Sequence, residues 1–238
     1  MAIKLLDKKT AYIIIGWFFL LNLPTVGYGE TDFGILLGTD DKGELNRVID
    51  ETEKVLEKNP KDIDSITKRG IAYHNIAHSK VKGVAKTCVK YLKKDTKAYP
   101  DDALLLALLG SCTTMIGRDA KAIDKKMRSV NKGTGLIDRA IMMAPDHVLA
   151  RMVRANNSSG IPKLYKRRKF TKIDLLHIDK VLKKSPEAIN KATQAQVYYK
   201  LGKIFYSEGD KAMSQSYYKK AVAVSPDSIW AKRASKRI

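Results

Sequence analysis

Residues 195–228 read AQVYYKLGKIFYSEGDKAMSQSYYKKAVAVSPDS. Apolar residues return at helical spacing on both sides of Gly209-Asp210, so the stretch predicts two amphipathic helices joined by a tight turn. Leu201, Phe205, Tyr218 and Ala221 fall on the seam between the helices, and Gly202 leaves room for close approach. Pro226 closes the second helix: proline cannot continue one, and its ring pushes the preceding residue out of the helical region. The same punctuation recurs upstream at Pro60, Pro100, Pro145 and Pro186, so successive prolines stand 40, 45, 41 and 40 residues apart. A break at so regular a period marks a repeat array. No alternating strand pattern of useful length occurs, and the fold class is all-α, a stack of helical hairpins.

The composition of the last unit is more specific than its period. Tyr198, Leu201, Gly202 and Phe205 occupy the positions of a W-x2-L-G-x2-Y pattern, and Gly209, Asp210, Tyr218, Ala221 and Pro226 follow in register. The unit closely resembles a complete tetratricopeptide repeat. That resemblance implies a right-handed α-solenoid, and it thins toward the N-terminus. The unit before Pro145 keeps Leu106, Leu109, Gly110, Gly117 and Ala140, with an insertion expected around Met127 to Thr134 and a two-glycine turn at Gly133-Thr134-Gly135. The unit before Pro100 keeps Ile66, Gly70 and Tyr73, and the unit before Pro186 carries Arg151, Arg154 and Ala155 at the corresponding positions. Glu44 to Pro60 resembles the second helix of a degenerate first unit, and Trp230 to Ile238 a capping helix. The expected organisation is a secretory signal peptide over 1–29, a linker over 30–42, and a repeat domain over 43–238.

The signal peptide is read from chemistry. Lys4, Lys8 and Lys9 precede an apolar run from Ala11 to Leu23, and Gly27 and Gly29 flank Tyr28 before Glu30. The run is short for a bilayer span, which needs about 20 residues, so export with cleavage is expected, with an uncleaved N-terminal anchor as the alternative. The periplasm or cell envelope is the implied location. In the linker, Gly34, Gly38 and Gly43 argue against regular structure, although Phe33, Ile35, Leu36 and Leu37 could pack on the first helix.

The chain carries a formal charge of +20, which predicts salt-sensitive attraction to anionic partners. The densest cluster is Lys163, Lys166, Arg167, Arg168 and Lys169, expected in an extended segment after Gly160 and Pro162. For an exported protein, anionic lipid or polysaccharide ranks above nucleic acid as its partner. Arg154 stands where the repeat buries leucine, and Asp174 where it expects alanine; a buried guanidinium needs a carboxylate, and Asp174 or Asp138 can supply it. Cys88 and Cys112 lie on neighbouring predicted helices and read as two small buried thiols, a disulfide being the alternative in an oxidising compartment. His74 and His78 have the i, i+4 spacing of a metal pair but lack the intervening glutamate of an HExxH motif, so no metal is expected. No nucleophile elbow, phosphate loop or dinucleotide fingerprint occurs, and neither an enzyme nor a cofactor is expected.

The resemblance implies a concave groove lined by the first helix of each unit, which in this family binds a peptide segment or a partner helix. Carried onto this chain, the groove positions include His74, Asn75, Ser111, Met115, Met152, Asn156, Tyr199, Lys203 and Tyr206. The set is nearly neutral and suits recognition through backbone and apolar side chains. A non-enzymatic adaptor in the cell envelope is the expected function; the alternatives are a basic docking module for anionic lipid or cell-wall polymer, and an accessory subunit of a small-ligand transporter.

Overall fold

The computed structural model describes residues 29–238; all but the last residue of the expected signal peptide lie outside them. Among these described residues eleven α-helices follow one another: α1 (Gly29–Gly38), α2 (Lys42–Lys58), α3 (Ile63–His78), α4 (Val84–Ala98), α5 (Ala103–Asp119), α6 (Ile123–Met143), α7 (Val148–Gly160), α8 (Arg168–Lys184), α9 (Lys191–Ser207), α10 (Lys211–Val224) and α11 (Ile229–Ser235). Among the described residues there is no strand.

The boundaries come from local chemistry. Pro60 and Pro100 stand two residues before Asp62 and Asp102, whose side chains accept from the backbone N–H groups of Ser65 and Leu105 and cap α3 and α5. Pro226 stands two residues before Ser228, which caps α11 in the same way. One short motif therefore ends a second helix and starts the next first helix, satisfying a backbone donor that would otherwise be orphaned.

Neighbouring helices pair as hairpins α3/α4, α5/α6, α7/α8 and α9/α10, with α2 packed on α3 and α11 capping α10. One apolar core runs from Leu36 to Tyr217 through every unit, with Leu45, Ile71, Leu105, Leu108, Leu149, Ile178 and Leu201 fully buried. This continuity is what stacking supplies, since no hairpin buries its apolar face alone.

Three expectations are corrected. The segment read as a linker forms α1, because Leu36 and Leu37 are buried against the array and this outweighs the cost of glycine in a helix. The expected two-glycine turn does not exist: α6 is continuous across 21 residues, and Gly133 lies at its crossing with α5. A Cβ on Gly133 would sit 2.4 Å from the carbonyl oxygen of Gly110, and one on Gly110 2.5 Å from that of Gly133. The extra residues thus lengthen a hairpin. Finally, Cys88 of α4 and Cys112 of α5 are joined in a disulfide with their Cα atoms 6.2 Å apart, in place of the two buried thiols expected from the sequence.

Candidate functional site

The first helices of the units, α3, α5, α7 and α9, face a concave surface, and α1 lies in it. Rather than pairing with α2, α1 crosses α3 and reaches α7 and α9. A Cβ on Gly34 would stand 3.2 Å from Nδ2 of Asn190 and 3.7 Å from the Leu149 side chain, so α1 approaches the array closely there. Thr193 Oγ1 donates to the Gly34 carbonyl at 3.2 Å. At the other end, Nδ2 of Asn75 donates to the carbonyls of Leu36, Leu37 and Thr39 at 2.8, 3.3 and 3.0 Å. These carbonyls lie at or just past the C-terminal end of α1, where only Leu36 gains a further backbone bond, from the Thr39 N–H at 3.2 Å.

The grip on α1 fixes a chain of hydrogen bonds through the groove floor. Because Asn75 gives its N–H groups to α1, its Oδ1 accepts, and His74 donates to it from Nδ1 at 2.9 Å. His74 Nε2 then accepts from Ser111 at 2.9 Å, and Ser111 Oγ accepts from Asn157 Nδ2 at 3.2 Å. Asn157 also donates to Thr114 Oγ1 at 2.6 Å, while its Oδ1 is buried without a hydrogen-bond partner. Burial pushes the His74 pKa down to about 4, so the ring is neutral near neutral pH, as this arrangement requires.

Beyond the end of α1 the groove opens into a pocket of about 580 Å³. Ser111, Met115, Asn156, Asn157 and Gln196 line it, with His78, Arg118 and Lys200 among its basic members and Tyr165 and Trp230 as aromatic ones. Lys200 is half-buried and its ammonium bonds Oδ1 of Asn156; burial, aided by Lys203, pushes its pKa down to about 8. The His78 pKa is lowered by burial, then by Arg118, Lys200 and Lys80. Arg118 donates to the carbonyl of Ala77 at 3.0 Å and pairs with Asp119 at 2.7 Å. Among the lining residues the only carboxylate is Asp40, which follows α1.

The groove positions taken from the sequence therefore divide. Asn75 holds α1 and His74 bonds Asn75, and with Ser111, Met115 and Asn156 they line the open pocket. Met152 is buried in the core, and Tyr199 is buried between Tyr218 and Trp230, its ring centroid 5.9 and 5.6 Å from theirs. Lys203 and Tyr206 are exposed and do not line the pocket. Lys200, Asn157 and Arg118 were missed. Lys200 and Asn157 each follow an expected groove position, Tyr199 and Asn156, which an uncertain helical register cannot resolve, and Arg118, three residues beyond Met115, gave no such signal.

In α7/α8 the polar positions form a buried cluster. Arg154 grips Asp174 with two bonds of 2.7 Å, from Nε and Nη2, and Arg151 adds a third of 2.8 Å to the same carboxylate. Arg154 also reaches Asp138 of α6 at 3.4 Å. Arg167, counted with the basic patch, turns inward instead: it binds Asp138 through bonds of 2.6 and 2.7 Å and lies over Phe170. Lys163, Lys166, Arg168 and Lys169 are exposed, Lys169 with its ammonium 5.3 Å from the Phe170 ring centroid. The segment is also less extended than expected, since Lys163–Tyr165 form a single 3-10 turn and α8 begins at Arg168. Among the described residues no group of three or more histidine, cysteine or carboxylate side chains could hold a metal.

A family model described as "Tetratricopeptide repeat" matches residues 195–228. The chain is similar in structure to a thermophilic TPR protein of Thermus thermophilus, with a TM-score of 0.56 and 16% identity over 87% of this chain and 96% of that one. No curated protein sequence matches the chain.

Proposed function

We propose that this chain, a tetratricopeptide repeat protein, is a non-enzymatic adaptor of the cell envelope whose concave face holds a segment of a partner protein. The tetratricopeptide fold generally mediates protein–protein interaction. One observation carries the reading: the concave face already holds a helix, through backbone carbonyls gripped by Asn75 and Thr193 and through two buried leucines. A surface that seats one short helix in this way has the chemistry to seat another. The export-like N-terminal sequence supports an envelope location, and so does the Cys88–Cys112 disulfide, since such bonds persist in oxidising compartments.

The test is capture from envelope extract at low and then high salt. A discrete protein retained at high salt is expected, with at least tenfold less retained by the double variant Asn156→Ala/Lys200→Glu, whose changes lie in the pocket. Capture that disappears with salt, or that ignores this variant, overturns the reading.

A second reading makes the basic exterior a docking surface for anionic lipid or cell-wall polymer. It rests on Lys163, Lys166, Arg168 and Lys169, which stand close together in the chain, two of them lining a second groove of about 770 Å³ between α8 and α9. Reversing the four charges to glutamate should release the protein from phosphatidylglycerol vesicles, and retention would discard the idea.

A further inference from the structure

The Arg–Asp clusters and the disulfide have their partners inside the fold, whereas α1 is bound in a manner its own position in the repeat does not require. It forms no hairpin with α2, although chain order would allow one. It lies instead across α3, α7 and α9, the helices that present the concave face.

The contacts have the character of recognition. Asn75 and Thr193 bind carbonyl oxygens, so they read the presence and the end of a helix rather than its side chains. Side-chain selection occurs at three positions: Gly34, where a Cβ would stand 3.2 Å from Asn190, and the buried pair Leu36 and Leu37. Past the helix end, the exposed Asp40 lines the pocket that His78, Arg118 and Lys200 also line. A carboxylate at that position is favoured by the positive charge of the pocket.

We propose that α1 is a resident stand-in for the partner. The ligand of the groove is a short helix with α1's pattern: a glycine, one free position, two leucines, a helix end, and an acidic residue two or three positions later. It enters when α1 leaves. This rests on the reading that the groove takes a protein segment, and adds what that segment looks like and what it must displace.

The tether gives the magnitude. Only Thr39, Asp40 and Asp41 join α1 to α2, and a short connection holds an internal ligand at an effective concentration on the order of millimolar. A free peptide with the same sequence therefore competes poorly with α1 in the intact chain.

The probe is a fluorescent peptide of residues 29–41, GETDFGILLGTDD, titrated into the intact chain and into Gly34→Phe and Leu37→Asp. Each variant dislodges α1 while changing no residue of α2 to α11, and circular dichroism checks that the array is intact. We expect half-saturation of the unaltered chain only near millimolar peptide, at least tenfold tighter binding to both variants, and loss of that gain when Asn75→Ala is added. Equal binding to the unaltered chain and the variants, or none to any of them, overturns the inference. Envelope capture with Gly34→Phe separates the two claims: a salt-resistant partner captured by a variant that ignores the peptide leaves the groove reading standing and removes this one, while no capture at all removes both.

Discussion

Two kinds of hairpin build this array. In α5/α6 and α9/α10 the helices meet at glycine. Gly110 and Gly133 face each other at backbone contact, and a Cβ on Gly202 would stand 2.6 Å from the ring of Tyr218. In α3/α4 and α7/α8 a buried arginine of the first helix meets an aspartate of the second. Arg69 reaches both oxygens of Asp95 at 3.2 Å and lies over Tyr91, and Arg151 and Arg154 share Asp174. Gly70 survives in α3/α4, but its near neighbour at 2.9 Å is the movable tip of Leu92. Glycine lets two helices exclude everything between them. The ion pairs fill the seam with groups that must each meet an opposite charge, so the same repeat is closed by shape in one place and by charge pairing in another.

The sharpest way to break the contrast is Asp174→Ala. It leaves two guanidinium groups facing each other in a buried seam, and a loss of about 3–5 kcal/mol is expected, read as a lower urea midpoint with an unchanged slope. A cost below about 1 kcal/mol would mean that solvent reaches the pair and that the charge-closed hairpin is no different from a surface contact.

Acid probes the groove floor against both kinds of seam. His74 has a folded-state pKa near 4, below its ordinary value of 6.5, so between these limits the unfolded chain binds the proton and the folded chain refuses it. Its contribution to stability is present above pH 6.5 and falls as the pH drops toward 4, by about 3 kcal/mol in all. Melting curves of the unaltered chain and His74→Gln should diverge over that window, and parallel curves would contradict the buried neutral ring.

Gly110→Ala tests closure by shape. The new methyl meets backbone rather than a flexible tip, and a loss of about 1–3 kcal/mol is expected, exceeding that of Gly70→Ala; the reverse order would mean that α5 and α6 can move apart freely. The smallest effect belongs to the double change Arg69→Met/Asp95→Leu. Removing both charges together should alter stability by no more than about 1 kcal/mol in either direction, while Asp95→Leu alone is clearly worse in the same denaturation assay.

These differences bear on what could be read beforehand. The C-terminal repeat was legible because its signature residues fall within one hairpin, so register and contact follow from short spacing. A cation at a leucine position and an acid at an alanine position are equally plain signals, and Arg154 and Asp174 do meet in the seam between α7 and α8. Glycine was the ambiguous letter. Gly133 and Gly34 both read as breaks in structure, yet each lies in a helix where another element comes close. A glycine marks either freedom of the backbone or absence of a side chain, and only the neighbour decides which.

The all-helical class, the repeat period and the helix ends marked by proline follow from the sequence alone, because proline, capping side chains and apolar spacing act within a few residues. The tertiary structure decided that α1 is a helix and where it sits, that Cys88 meets Cys112, that Arg167 turns inward, and that a cationic pocket opens beside Asn156. Each depends on groups brought together from distant parts of the chain: the Thr193 hydroxyl that holds Gly34 lies 159 residues away from it. Local chemistry fixes a helix boundary, whereas a seat in a groove exists only once the surfaces on either side of it have been assembled.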